Sequence, residues 1–258
     1  MTNKDKIAIE KWFQSMVNFY SAGDAVTKHN LALKQNHSRA TQQIALHLSQ
    51  SMGWNDHDCR IAECIGLLHD VGRFPQFYYY KTFGDNESRN HAHWGVELLQ
   101  KEKVLSVFSE DDQEVIITAI LHHNAFQIPS SMEIRTLKFS KLIRDADKLD
   151  IYRIMSEEHY ILDLPDTQIV NPVILDSIFQ QKCVQYKHVG TLMDLKLLQL
   201  SWVYDFYYIE SLFYLQKQEL LQKFINTIPA SLQVSKAYET VKKFLHEKTS
   251  TASVCYKL

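Results

Sequence analysis

The sequence predicts an all-α protein, and three observations carry that expectation. Glycine and proline number only 7 and 5 in 258 residues, roughly half of average usage. Tight turns between strands consume both residues, so their scarcity favours helices joined by ordinary loops. Apolar residues recur at spacings of three and four rather than in strict alternation, which is the period of an amphipathic helix.

The elements follow in order. Over 6–21, Ile9, Trp12, Phe13, Met16, Val17 and Tyr20 form one apolar stripe, with Gly23 as a stop and Asp24 as the next cap. A second helix is expected to about Lys34. A third is expected from near His37, carrying Ile44, Ala45, Leu48 and Met52 and stopped by Gly53. Asn55 and Asp56 can cap a helix through Leu68 with Ile61, Cys64 and Ile65 inward, ended by Gly72 and Pro75. Residues 74–90 are aromatic without a sustained period and read as a long ordered loop, a kind of segment that is often functional. Ser88 or Asn90 caps a helix over about 91–101, and Ser109 with three following acids starts one ending near His123. After Pro129 a long helix is expected over 134–159, then helices over 171–186, 191–226 and 234–247. This gives a core at 24–160, with 1–23 and 161–258 packed on it as helical additions. The stripe of Trp202, Tyr204, Phe206, Tyr207 and Phe213 is read as core or as a face between two copies of the chain, a homodimer through the C-terminal helices.

The formal net charge of −2 argues against a nucleic-acid scaffold. The four cysteines form no Cys-x-x-Cys pair and read as reduced thiols. The N-terminal residues have no apolar leader core. No run approaches the roughly 18 apolar residues of a membrane span. A cytoplasmic protein without membrane attachment is expected.

The histidines carry the chemistry. Most of the 12 lie before residue 124. Leu68-His69-Asp70-Val71-Gly72-Arg73 sets a His-Asp pair at a helix end. Asn90-His91-Ala92-His93 sets two histidines at a helix start, and His122-His123-Asn124 sets two more at another end. Arg144-Asp145-Ala146-Asp147-Lys148-Leu149-Asp150 places carboxylates inside a long helix. Imidazoles with carboxylates form a donor set for divalent transition metals. Neighbouring residues on a helix point about 100° apart, so His69 and Asp70 can contact one ion from two sides, or Asp70 can bridge two. Paired ions clamp a phosphate and activate water.

The order His37, His69-Asp70, Asp147 resembles the HD superfamily of metal-dependent phosphohydrolases. His91 and His123 are similar to the added ligands of its two-metal branch. Leu68 to Phe74, Thr82-Phe83, Asn90-His91-Ala92 with Gly95-Val96-Glu97, and Arg144 to Asp150 resemble a bacterial branch described as predicted HD phosphohydrolases, over about 30–155. The resemblance implies an HD-domain helical bundle with a C-terminal helical extension. It implies one or two divalent ions (Mn, Mg, Fe, Co, Ni or Zn). His37, His69 and Asp147 would hold the first, His91 and His123 the second, and Asp70 would bridge. Asp147 is preferred to Asp145 for its Ala-Asp-x-Leu context, His91 to His93 for its spacing to Gly95, and His123 to His122 for the following asparagine. Arg73 and Lys148 are candidates to contact substrate phosphate beside the catalytic Asp70. The implied substrate is a small phosphorylated molecule, with nucleotides among the candidates.

Two departures narrow the family's range. Arg73 stands where HD nucleotidases carry an acid, and no Gly-Tyr-Pro follows His123, which weighs against a cyclic-di-GMP phosphodiesterase. A di-iron oxygenase of the same superfamily would use the same ligands, and a non-catalytic metal-stabilised signalling or binding module is the third reading.

Overall fold

The computed structural model describes residues 3–157, 164–167 and 169–255. The expected boundary at 160/161 and His159 lie outside them. The fold is all-α, with no strand among the described residues. Contacts divide the chain into two compact units, Met1–Asp147 and Lys148–Leu258.

The first unit begins with α1 (Asn3–Tyr20), α2 (Ala25–Ser51), α3 (Asp56–Leu68) and α4 (Arg73–Tyr80). It continues with α5 (His91–Lys101), α6 (Glu110–His122) and the larger part of α7 (Ile134–Glu157). Side chains of Asp24, Asn55, Asn90 and Ser109 accept the orphan N–H groups that open α2, α3, α5 and α6. Phe13, Leu31, Ile61, Leu68, Phe74, Leu99, Ile116, Ile120 and Phe139 are fully buried and form the core.

Two expectations are corrected here. The helices expected to end near Lys34 and start near His37 are one helix, α2. Its buried face is largely polar (Thr27, His37, Ser38, Thr41, Gln42), so the apolar period is interrupted where the backbone is not. Within 74–90 the expected loop contains α4 and a 3-10 turn at Asp85–Glu87. Pro75 sits in the first turn of α4, where a missing N–H costs nothing. Tyr78, Tyr79 and Tyr80 cluster with Tyr20 and Trp94 at its far end.

Helix α3 lies close against α2 because Gly66 faces its backbone. A methyl group there would come within 2.8 Å of Gln42 Cα and Thr41 O. This approach brings the His37 turn of α2 beside the end of α3.

An ionic cluster ties α3, α6 and α7 at their N-terminal ends. Arg135 bonds Asp112 at 2.6 Å and Asp58 at 3.4 Å, Lys138 bonds Asp58 at 2.7 Å, and His57 lies 3.0 Å from Asp112. Partial burial pushes both carboxyls up, but these cations and hydrogen bonds outweigh it and hold both below the usual range. A depressed carboxylate stabilises the fold above its unfolded value of about 3.9, and the contribution disappears as pH falls through the folded value. Arg135→Met is therefore expected to cost about 1 kcal/mol at pH 7, and almost nothing once both carboxyls are protonated. Urea unfolding at neutral and acid pH checks this, and an equal loss at both would refute it.

The second unit holds the end of α7, α8 (Pro172–Phe179), α9 (Leu192–Ser201), α10 (Ile209–Lys217), α11 (Leu220–Ile225) and α12 (Leu232–Cys255). The single helix expected over 191–226 is three helices. Phe206 is extended and Glu219 is left-handed at φ 55°, breaks masked by Leu, Tyr and Phe on every face. Tyr152 is buried with its hydroxyl donating to Gln199 O at 2.6 Å. Cys59, Cys64 and Cys183 are free thiols. No helix among the described residues is long and apolar enough to cross a membrane.

Candidate metal centre

Three helix ends and two helix middles meet inside the first unit. His37 comes from the middle of α2, His69 and Asp70 from the end of α3, and His91 from the start of α5. His123 follows α6 directly, and Asp147 lies on α7. Five of these six side chains are buried, with at most 5% residue exposure, and Asp147 keeps 19% of its side chain accessible.

Their polar atoms converge. His37 Nε2 lies 3.2 Å from His69 Nε2 and 3.1 Å from Asp147 Oδ1. His91 Nε2 lies 3.0 Å from His123 Nε2. Between the two imidazole pairs sits Asp70. Its Oδ2 is 3.6 Å from His37 and 3.8 Å from His69, while its Oδ1 is 3.3 Å from His91 and 3.6 Å from His123. Three overlapping groups could each hold an ion: His37, His69 and Asp70; His69, His123 and Asp147; and Asp70, His91 and His123. Neither Asp145 nor His93 is in such a group; Asp145 is buried and His93 exposed.

The outer nitrogens fix the tautomers. His69 Nδ1 faces Gly66 O at 2.9 Å and His123 Nδ1 faces Ile120 O at 2.6 Å. Both partners only accept, so each Nδ1 carries the proton and each Nε2 a lone pair. His91 Nδ1 donates to Asp85, 2.8 and 2.9 Å from its two oxygens. With their Nδ1 protons so placed, the His91 and His123 rings turn their Nε2 atoms toward each other across 3.0 Å. Two nitrogens bound at right angles, each about 2.1 Å from one ion, stand about 3.0 Å apart, so the donor set fits a divalent ion.

Electrostatics points the same way. Burial pulls His69 down, and burial followed by the Arg73 charge takes His91 down to about 3, so both rings are neutral donors at pH 7. Burial alone would raise Asp70 and Asp147. Lys34 and the surrounding imidazoles hold Asp70 well below the usual range, and a hydrogen bond from His37, with the His69 ring 3.7 Å away, does the same for Asp147.

Several residues that frame the cluster were not legible in the sequence. Asp85 accepts from His91, Arg73, Gln76 and Asn124. Arg144 donates to the carbonyls of His122, His123, Ala125 and Phe126, pinning the turn that holds His123. Lys34 bonds Asp70 Oδ2 at 2.8 Å. Arg73 turns toward the protein: its Nη1 bonds Gln76, Phe83 O and Asp85, and its Nε lies 3.6 Å from Asp70. Lys148 belongs to the second unit, where its ammonium is held by the carbonyl and carboxylate of Asp205. Outer partners of ligating histidines are worth about 10–100-fold in metal affinity. Asp85→Ala is expected to weaken uptake by that factor, read by competition with a chelating dye; unchanged affinity would remove Asp85 from the site.

An all-α unit that brings four histidines and two aspartates to one point from three helix ends and two helix middles has the donor set of a His-Asp metal centre. Comparison with known families agrees: residues 35–152, a little under half of the chain, match the model of the HD domain. A curated relative, the 3'3'-cGAMP-specific phosphodiesterase 1 of Vibrio cholerae serotype O1, is 26% identical over 120 residues, which is 45% of this chain and 26% of the relative. The similarity therefore spans about a quarter of that relative's length. No solved structure matches.

Proposed function

We propose that the chain is a metal-dependent phosphohydrolase that turns a metal-activated water on a small phosphorylated substrate in the cytoplasm. The observation that carries this reading is the division of Asp70, with one oxygen toward the His37–His69 pair and the other toward the His91–His123 pair. A bound ion pair supplies an acidified water and neutralises phosphoryl oxygens. The protein's part is to hold the donors. His69, His91 and His123 keep their Nε2 atoms inward, ionised Asp70 faces both positions, and Asp147 closes the first. The more accessible Asp147 side marks where water and substrate reach the cluster.

The named activity of the Vibrio cholerae relative is a reason to test phosphodiesters, cyclic dinucleotides among them, beside monoesters. The test is elemental analysis of protein purified without chelator, together with hydrolysis of p-nitrophenyl phosphate, bis(p-nitrophenyl) phosphate and a nucleotide panel that includes 3'3'-cGAMP. One or two ions per chain, with hydrolysis abolished by chelation, supports the reading. Iron with no hydrolysis would turn it toward oxygenase chemistry, and no ion at all would refute it.

A further inference from the structure

We propose that Lys34 is the residue that grips the substrate's phosphoryl oxygen, an inference that rests on the phosphohydrolase reading above. Lys34 stands three residues before His37 on α2 and so shares its helix face. Its Nζ is 2.8 Å from Asp70 Oδ2, the oxygen that faces the His37–His69 pair. The Lys34 side chain is 21% accessible, whereas those of His37, His69, Asp70, His91 and His123 are at most 4% accessible. The Lys34 side chain therefore stands at the rim of the cluster, with its ammonium on the Asp70 carboxylate.

The chemistry of the group suits that position. An ammonium carries three donors on a flexible stem, and one bond to Asp70 leaves others to offer to an incoming anion. The ring of Phe83, 5.4 Å from Nζ, flanks it and offers its face to the ammonium. Arg73, the other cation beside Asp70, directs Nη1 to Gln76, Phe83 O and Asp85. Arg73 thus sets the backbone of the Phe83 loop, and that loop sets the ring against which Lys34 lies. With Asp70 engaged by an ion, the ammonium is no longer that carboxylate's principal counter-charge, and a phosphoryl oxygen is the anion the site brings to it.

The test separates this role from mere support of Asp70. Metal-loaded wild type, Lys34→Met and Lys34→Arg are titrated calorimetrically with inorganic phosphate, and bound metal is counted in each. Lys34→Met is expected to weaken phosphate binding about tenfold or more and to raise KM, with the metal count unchanged and partial rescue in Lys34→Arg. Equal phosphate affinity in wild type and Lys34→Met, absent phosphate binding in wild type, or a fall in metal count that accounts for the loss would each overturn the proposal. Hydrolysis with Lys34-independent phosphate binding leaves the phosphohydrolase reading standing and removes Lys34. Lys34-dependent phosphate binding without hydrolysis of any substrate does the reverse.

Discussion

Asp70→Ala is expected to lose at least one ion per chain and to lower kcat/KM by about a thousandfold or more, equivalent to about 4 kcal/mol of transition-state stabilisation. The reason is positional. Among the described residues Asp70 is the one carboxylate within 4 Å of all four imidazoles, so its removal takes an anionic donor from both pairs and leaves only Asp147 at the first. The fold should survive, because Lys34 is partly accessible and can turn its ammonium to water. Asp70→Asn keeps the shape but halves the number of carboxylate-type oxygens, and should lie between the two. Metal analysis, steady-state kinetics and a thermal melt on the same preparations check this. A variant that holds the wild type's metal and turns over within tenfold of its rate would show that the bridging position is not the reactive one.

Gly72→Ala should be as damaging without touching a ligand. A methyl group on Gly72 would lie 2.0 Å from the carbonyl oxygen of His91 and 2.7 Å from Gly95 N. Both are backbone atoms, so no rotamer change relieves the clash, and the first turn of α5 must retreat by roughly 1 Å. Overpacking of this kind costs about 1–3 kcal/mol or more, a fall of roughly 2–4 °C in Tm per kcal/mol for a chain of this size. The retreat also carries His91 away from His123 and Asp70, so the ion between those residues should be lost. Gly53→Ala is the control. Its φ of +69° brings the ordinary left-handed penalty of about 1 kcal/mol, and nothing stands within 4 Å of the new methyl. Equal metal content and stability in Gly72→Ala and wild type would refute the close-approach argument.

What could be read beforehand was whatever the chain marks locally. His69-Asp70, His91 and His123 stand out because imidazoles cluster at helix ends, and caps such as Asn55, Asn90 and Ser109 announce themselves by type and place. Asp85 and Lys34 gave no such signal. Asp85 sits in an unremarkable Gly-Asp-Asn stretch, and its role exists only once that loop folds back on His91. Lys34 reads as one more solvated charge until α3 delivers Asp70 to it. Arg144 gave no signal either, since it serves the carbonyls of a turn about 20 residues earlier. The unity of α2 was hidden for a related reason: His37, Ser38, Thr41 and Gln42 occupy the buried face where an apolar stripe would have declared the helix.

The tautomers locked by Gly66 O, Ile120 O and Asp85 also decide the site's proton inventory. Ion capture by histidines and carboxylates ordinarily expels protons, since the donors must first be stripped. In this chain the fold does the stripping. His69 and His91 are already neutral and Asp70 and Asp147 already ionised at pH 7. These four donors can accept an ion without releasing a proton to the buffer, so their share of the binding heat is independent of which buffer is used. Over the neutral range, their hold on the ion follows how much of it the surroundings supply rather than how acidic they are.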